Sequence, residues 1–430
     1  MMPTIQLRWT ATLCAIAFSA MFSSLLQAQS PVTLAPTDHC RDFSADSIIT
    51  FADADLAEVV NAALNLAPQD SVTCAQASQL ERLNVGTDIE RVVYGGTLRQ
   101  SPEKPFESLE GIQNLTGLTN LGIINRLITD ITPVGQLTKL QFLSLHTNWF
   151  SDISALSNLT ELEQLIISEN PISDISPLAN LTKLRRLHVH GLYPYQLQHY
   201  LDFDDGRDPN VLFNGITDIS PLAGLTEMRL LRIHLNSITD ISPLENLTKM
   251  THLRIYENEI ENIDSLANMD ELILLWANNN KINDISALQG KTGMQQLSLN
   301  DNAISDLYAL RNMGNLEYLF LSNNEIDDIT PLAGLSTLQV LRLENNAITD
   351  VSSLGGLSNL RELSLAQNWS LFNIEPLLGN EGIGRSDEVD LRFTYVRCSD
   401  MDAFTARGVN MLRVTAINGS SCDGRRLEDP

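Results

Sequence analysis

The fold is decided by the phrase "LEYLFLSNNEIDDITPL", residues 316–332, which recurs with small changes along most of the chain. Apolar residues alternate at its start, an asparagine follows, and an I-x-D-I-x-P-L segment ends it. It returns as "MRLLRIHLNSITDISPL", residues 228–244, with Met228 in the place of the first leucine. The asparagines mark a period of 22 residues with one gap of 44, at Asn148, Asn170, Asn214, Asn236, Asn258, Asn280, Asn302, Asn324, Asn346 and Asn368.

This period predicts an α/β solenoid, a horseshoe with a parallel β-sheet on its concave side. The L-x-L alternation is typical of a short strand that buries one face. The asparagine amide, stacked once per period, satisfies backbone groups that would otherwise be buried unpaired. A period of this length is the signature of leucine-rich repeats, and about eleven are expected. The first begins at Leu118 and has Arg126 in the asparagine place.

The I-x-D-I-x-P-L segment is expected to return along the convex side through a short helical or 3₁₀ turn. Serine or threonine precedes proline in Ser176-Pro177, Ser220-Pro221 and Thr330-Pro331. These pairs look like a helix N-cap followed by proline in the first turn. We therefore expect the hydroxyl side chains to cap the turns.

The two ends differ from the repeats, as a solenoid requires for solubility. An amphipathic helix is predicted from about Asp53 to Leu64, and the period breaks within residues 377–398. Residues 29–110 are thus interpreted as an N-terminal cap region, 111–380 as repeats and 381–430 as a C-terminal cap. The cysteines after the leader fall in two terminal pairs, for which disulfides Cys40–Cys74 and Cys398–Cys422 are expected.

Composition and the first residues predict an exported protein. Lys plus Arg number 28 and Asp plus Glu 53, so the formal charge is −25. Such a charge is repelled by nucleic acid and by anionic membranes, and it favours a monomer. Residues 1–28 place Arg8 before an apolar run and end at the small residue Ala28. This order is typical of a signal peptide, which predicts a secreted or periplasmic protein without an integral membrane segment.

The sequence resembles the internalins and related secreted bacterial leucine-rich-repeat proteins. The similarity covers roughly residues 48–398 and includes "FADADLAEVVNAAL" (51–64), "LEGIQNLTGLTNL" (109–121) and "GNEGIGRSDEVDL" (379–391). It implies a non-enzymatic protein without a cofactor that binds a protein or polymeric ligand through its concave sheet.

Side chains two, four and six residues before each asparagine are expected on the concave surface, open to solvent. Five of the seven histidines fall in these three columns, together with arginine and aromatic residues, the types enriched at binding hot spots. The histidines in these three columns predict tighter ligand binding at mildly acidic pH. The candidate ligand-binding residues are His146, Arg186, His188, His190, Arg232, His234, His252, Arg254, Tyr256, Trp276, Tyr318, Phe320 and Arg342.

The gap of 44 residues is interpreted as a loop, residues 192–213, inserted at the rim of this surface. A degenerate repeat would place Pro209 within a central strand, where it would remove a ladder donor. With an insertion, the chain leaves the sheet after Gly191, and the strands that end in His190 and His234 become neighbours, about 4.8 Å apart.

Two alternatives remain open at this stage. His188, His190 and His234, with an aspartate from the loop, could hold Zn²⁺ in a metal-dependent hydrolase or a metal-binding protein. A structural protein of the cell envelope is the other.

Overall fold

The computed structural model describes residues 31–86, 105–191 and 215–412. Its main feature is a parallel sheet of 14 strands that follow one another in chain order. The strands are β3 Arg82–Val85, β4 Asn120–Ile123, β5 Phe142–Ser144, β6 Gln164–Ile166, β7 Arg186–His188, β8 Leu230–Arg232, β9 His252–Arg254, β10 Leu274–Trp276, β11 Gln296–Ser298, β12 Tyr318–Phe320, β13 Val340–Arg342, β14 Glu362–Ser364, β15 Glu388–Asp390 and β16 Asn410–Leu412.

Neighbouring strands pair at the same repeat position. Leu275 of β10, for example, lies between Leu253 of β9 and Leu297 of β11. These leucines are completely buried and belong to one hydrophobic core that runs along the described solenoid. Because side chains alternate across a strand, the residues on either side of each such leucine point away from this core, onto the concave side. The leucine-rich-repeat architecture is therefore confirmed.

The recurring asparagines form a ladder at the ends of the strands. Asn280 donates from Nδ2 to the carbonyls of Ala277 (3.0 Å) and Asn278 (3.2 Å) in its own repeat. It also donates to the Ile255 carbonyl (3.1 Å) and accepts from the Ile260 N–H (3.0 Å), both in the preceding repeat. One amide thus satisfies backbone groups of two turns. The same pattern recurs from Asn236 to Asn346, whereas Asn214 lies outside the described residues.

The residue before each ladder position adopts a left-handed backbone, which the sequence pattern did not reveal. Its φ lies between 52° and 62° at Asn125, Thr147, Glu169, Leu235, Glu257, Asn279, Asp301, Asn323, Asn345 and Gln367. Asparagine and aspartate tolerate this conformation best among residues other than glycine, and they fill half of these positions. The conformation turns the chain out of the strand so that the next side chain reaches its carbonyl partners.

The convex side consists of 3₁₀ turns, as expected, but the predicted caps are wrong. Ser176, Ser220 and Thr330 are the first residues of their turns and do not cap them. The Asp or Asn two residues earlier accepts the N–H at 2.7–2.9 Å instead. A carboxylate or amide reaches two residues forward more readily than a hydroxyl does. The turns are Thr132–Gln136, Ser154–Asn158, Ser176–Leu178, Ser220–Leu222, Ser242–Leu244, Asp264–Leu266, Ser286–Leu288, Tyr308–Leu310, Thr330–Leu332 and Ser352–Leu354.

The N-terminal region packs onto the first strand of the sheet. Helix α1, Ala54–Ala63, lies where a helix was predicted, and the Asp53 side chain caps it. Its Leu56 and Val60 share the core with Leu83 of β3. Strands β1, Ile48–Ile49, and β2, Val72–Thr73, form an antiparallel pair, and helix α2 is Cys74–Ala77. The predicted disulfide Cys40–Cys74 is present.

At the other end, helix α3 is Glu375–Leu378 and helix α4 is Cys398–Ala406. The second predicted disulfide, Cys398–Cys422, and the predicted signal peptide, residues 1–28, lie outside what the structure describes.

The strands before and after the predicted insertion are neighbours in the sheet, as expected. Strand β7 pairs directly with β8, with Arg186 beside Leu230 and His188 beside Arg232. The regular pattern resumes at Ile216, whose N–H donates to Asn236 Oδ1 at 3.0 Å. Gly191 is required here because a Cβ on it would lie 2.0 Å from the Leu235 carbonyl oxygen. The inserted residues 192–213 themselves lie outside the described part of the chain.

Replacing one ladder amide is expected to destabilise the solenoid markedly. Asn280→Ala leaves the Ile260 N–H without its partner and removes one of two hydrogen bonds from each of three carbonyls, which predicts a loss of about 3 kcal/mol in the free energy of unfolding. The exposed Asn312, changed to Ala, is the matched control. Urea unfolding followed by circular dichroism measures both; equal midpoints would contradict the role of the ladder.

The aspartates that cap the convex turns should make the fold sensitive to strong acid. The N–H and hydroxyl of Thr330 lower the pKa of Asp328, and the equivalent contacts lower those of Asp152, Asp284 and Asp350. A lowered folded-state pKa adds stability above the ordinary value of 3.8, and that stability is lost as the pH falls through the lowered value.

Asp328→Asn keeps the cap, as Asn262 does naturally, but does not titrate. Its urea midpoint should therefore fall less than the wild-type midpoint between pH 7 and about pH 3. Asp328→Ala should be less stable than both at neutral pH. Parallel curves for wild type and Asp328→Asn would show that this carboxylate contributes nothing.

Candidate binding surface on the concave sheet

The register places the predicted columns side by side on the concave face. His188, Arg232, Arg254 and Trp276 occupy one position of four successive strands, and Ser298, Phe320 and Arg342 continue the row. The flanking core residues Leu187 and Val189 are buried on the opposite side of the strand. The assignment of these side chains to one face of the sheet therefore agrees with the structure.

The expectation that all of them lie open to solvent is wrong for the N-terminal half. His188 is 1% exposed and Arg232 6%, and the buried members of the set are His146, His188, Arg232, His234 and Tyr256. Arg186, His190, His252, Arg254, Trp276, Tyr318 and Phe320 are partly exposed, and Arg342 is exposed. Burial arises because large side chains on adjacent strands, about 4.8 Å apart, pack on one another.

Four of these residues form a ring stack, which we define as His146, His190, His234 and Tyr256. The His190 and His234 rings lie 4.1 Å apart and nearly parallel, and His234 lies 4.1 Å from Tyr256. His146 meets His190 edge-on at 6.2 Å. The contact between His190 and His234 joins the two sides of the insertion, which confirms that the strands on either side of it are neighbours.

A buried polar network supports the start of the ring stack. His146 Nδ1 lies 3.2 Å from the Ser168 hydroxyl, and its Nε2 lies 3.6 Å from a carboxylate oxygen of Glu169. Thr147 also donates to Glu169 at 3.0 Å. Glu169 is only 1% exposed. Sequence reasoning missed it because it occupies the left-handed position next to the columns, where only Thr147 and Glu169 are buried among the described repeats.

Burial lowers the pKa of three histidines on the concave face, His188, His190 and His234. Loss of solvation is the largest cause that lowers the pKa of His190 to about 4, partly offset by Glu169. Burial also lowers the pKa of His188 and of His234, to which the positive charges of Arg232 and Arg254 add. The expectation of tighter binding in mild acid required these groups to titrate near 6.5. The lowered pKa values of His188, His190 and His234 argue against that expectation.

The geometry does not support the metal-site alternative. Within residues 31–86, 105–191 and 215–412, no group of three His, Cys, Asp or Glu side chains could hold a metal ion. Imidazole nitrogens bind metal in the plane of the ring. The nearly parallel faces of His190 and His234 therefore direct their nitrogens side by side and not toward a common point.

The C-terminal half of the face carries the accessible chemistry. We call Arg254, Trp276, Tyr318, Phe320 and Arg342 the Arg–aromatic surface. The Arg254 guanidinium lies 4.0 Å from the Trp276 ring, and Arg342 lies 5.7 Å from that of Phe320. Arg342 is also paired with Glu362. Such contacts hold long side chains in place, so this surface is ordered before any ligand arrives.

By its class, the protein is a leucine-rich-repeat solenoid. The family model "Leucine Rich repeats (2 copies)" matches residues 292–334 and 336–377. No curated protein matches the chain. None of the described helices combines the length and apolar character needed to cross a membrane.

Solved structures narrow the class to a family. The chain is 30% identical to an internalin (InlF) from Listeria monocytogenes, with 84% of this chain and 95% of that one covered and a TM-score of 0.70. The chain belongs to the internalin family. InlJ of L. monocytogenes (21% identity, 81% and 66% covered) and a leucine-rich-repeat protein of Leptospira interrogans (17%, 78% and 90%) share the fold, each with a TM-score of 0.53. Leucine-rich-repeat proteins of this type are typically protein-binding.

The ring stack should weaken the fold in moderate acid. Between the ordinary pKa of 6.5 and the folded value near 4 for His190, the unfolded chain binds protons that the folded one does not. The protonation of His190 therefore does not reduce the free energy of unfolding above pH 6.5, and it reduces that free energy increasingly as the pH drops toward 4. In His190→Phe/His234→Phe, which keeps the rings but cannot titrate, this fall should be shallower.

The measurement is the thermal midpoint at a series of pH values. His39→Gln, outside the ring stack, should follow the wild-type curve. If the double variant also follows it, the stacked histidines do not cause the acid sensitivity.

Proposed function

We propose that this chain is an exported, non-enzymatic binding protein whose Arg–aromatic surface receives a protein partner. The observation that carries the proposal is the pair of guanidinium–ring contacts, Arg254 with Trp276 and Arg342 with Phe320, in one row of a rigid sheet. Arginine and tryptophan supply much of the binding energy of protein interfaces. Here both are held in place by their neighbours.

The chemistry of the surface favours a partner segment with acidic groups beside apolar ones. Arg186 lies on β7, and His252 and Arg254 lie two strands along on β9, while the protein as a whole carries −25. The acids Glu344 and Glu362 lie further along, where Glu362 contacts Arg342. A partner with carboxylates near β9 and an apolar segment over β10–β12 would be attracted at one end and packed at the other.

Export is supported by the disulfide and by the family. The Cys40–Cys74 bond is stable in oxidising compartments, which lie outside the cytosol. The leader-like residues 1–28 fit the same location. An envelope protein with a purely structural role would tolerate changes on the concave face, and the experiment below separates it from a binding protein.

The test compares two guanidinium–ring pairs on opposite sides of the molecule. Arg254→Glu/Trp276→Ala alters the concave pair, and Arg311→Glu/Tyr308→Ala alters a convex pair of similar geometry, 3.9 Å apart. Partners captured from the native environment by wild type are identified and their affinities measured. We expect the concave variant to bind at least about a hundredfold more weakly, as loss of two anchors implies.

The convex variant should bind like wild type. Unchanged binding by the concave variant, or equal loss by both, would refute the Arg–aromatic surface. Self-association of the wild type that the concave variant retains would favour the structural envelope protein.

A further inference from the structure

A second surface lies off the concave face, near the C-terminal end. We call Trp369, Phe372, Phe393 and Tyr395 the edge aromatic patch. Trp369 is 45% exposed, Phe372 61% and Tyr395 52%, which is half of the exposed large hydrophobic side chains among the described residues. The rings of Trp369 and Phe393 lie 5.8 Å apart, and those of Phe372 and Tyr395 lie 5.4 Å apart. Both pairs thus join the turn after β14 to the turn after β15.

Both turns that carry these rings differ from the regular repeat. Asn373, the capping residue, follows Asn368 by five positions, whereas the capping Asp350 follows Asn346 by four, so the turn with Trp369 is one residue longer. Phe393 stands in the left-handed position with φ of 60°, where half of the other described repeats carry asparagine or aspartate and none carries an aromatic residue. An aromatic residue there costs strain, and the exposed rings add little to stability. Packing alone therefore does not explain the patch.

A polar row leads into the patch along the rim of the sheet. This rim row consists of Asn279, Asp301, Asn323, Asn345 and Gln367, one residue per strand, and Phe393 takes the next position. Asn345 donates to Asn323 at 3.0 Å, and Asn323 donates to Asp301 at 2.7 Å. Left-handed backbone accounts for these residue types. The rim row is thus a line of planar amides and a carboxylate, exposed from Asp301 to Gln367 and spaced by about 4.8 Å, that ends at aromatic rings.

We propose that the edge aromatic patch and the rim row bind a neutral polysaccharide chain. Sugar C–H groups carry a partial positive charge and pack on the negative faces of aromatic rings. Amide side chains pair with adjacent hydroxyls because they both donate and accept. The strand spacing approaches the length of one sugar unit, so successive units can meet successive strands.

Charge and area select this occupant over others. The net charge of −25 and Asp301 in the row disfavour a polyanionic glycan. The exposed rings offer roughly 300 Å², far less than the 800 Å² or so that each partner of a stable protein interface provides. A second copy of the chain is thus a poor fit. A thin polymer that also follows the rim is not limited by the area of the patch.

The experiment measures retention of the full chain by insoluble cellulose, chitin and starch, with soluble polygalacturonate as an anionic probe. Wild type should bind at least one neutral polymer. Trp369→Ala and Tyr395→Ala should each bind about tenfold more weakly, the order expected for one lost stacking ring. Tyr308→Ala removes a ring that is 50% exposed on the convex side and should bind like wild type. Thermal midpoints confirm that each variant is folded.

The outcomes separate this proposal from the concave surface, on which it does not rest. Retention by the Arg254→Glu/Trp276→Ala variant should equal that of wild type. Absence of binding to all neutral polymers, binding to polygalacturonate alone, or equal loss in Tyr308→Ala would overturn the proposal. A concentration-dependent dimer that Trp369→Ala abolishes would assign the patch to a second copy and would also overturn it.

Discussion

The structure depends on one amide per repeat that satisfies the backbone where each strand ends. Asn280 joins three carbonyls and one N–H from two successive turns, and the same contacts recur along the sheet. No apolar side chain could do this, because it offers these backbone groups neither a donor nor an acceptor. The ladder therefore reinforces the register that the buried leucines specify, and the register decides which side chains meet on the concave face.

Sequence reasoning succeeded where the cause repeats and is local. The strands, the concave columns and the adjacency of β7 and β8 follow from the spacing of Asn170, Asn236 and their leucines. The Cys40–Cys74 bond followed from the position of two cysteines before the repeats. Prediction from the sequence failed for features whose cause lies in neighbouring repeats. The exposure of His188 or Arg232 depends on what the adjacent strands carry, and no single repeat contains that information.

The concave face is consequently divided between two roles. In its N-terminal part, the ring stack and the contacts of Glu169 bury polar groups against one another, which stiffens the sheet, and burial lowers the pKa of His190. In its C-terminal part, Arg254 and Arg342 lie over aromatic rings and remain accessible. A rigid half beside an accessible half suits recognition, because little ordering remains to oppose binding.

Departures from the repeat can be sorted by whether local contacts explain them. Lys291 stands where neighbouring repeats have Met269 and Met313, and its side chain is fully buried. Its Nζ donates to the carbonyls of Ala267 (3.1 Å) and Met269 (3.2 Å), so the replacement is satisfied within the fold. Phe393 and Trp369 are the opposite case, because one adopts a strained backbone and the other exposes a large ring. The contact between their two rings does not require the strained backbone or the exposure, so these departures are where use by a ligand is expected.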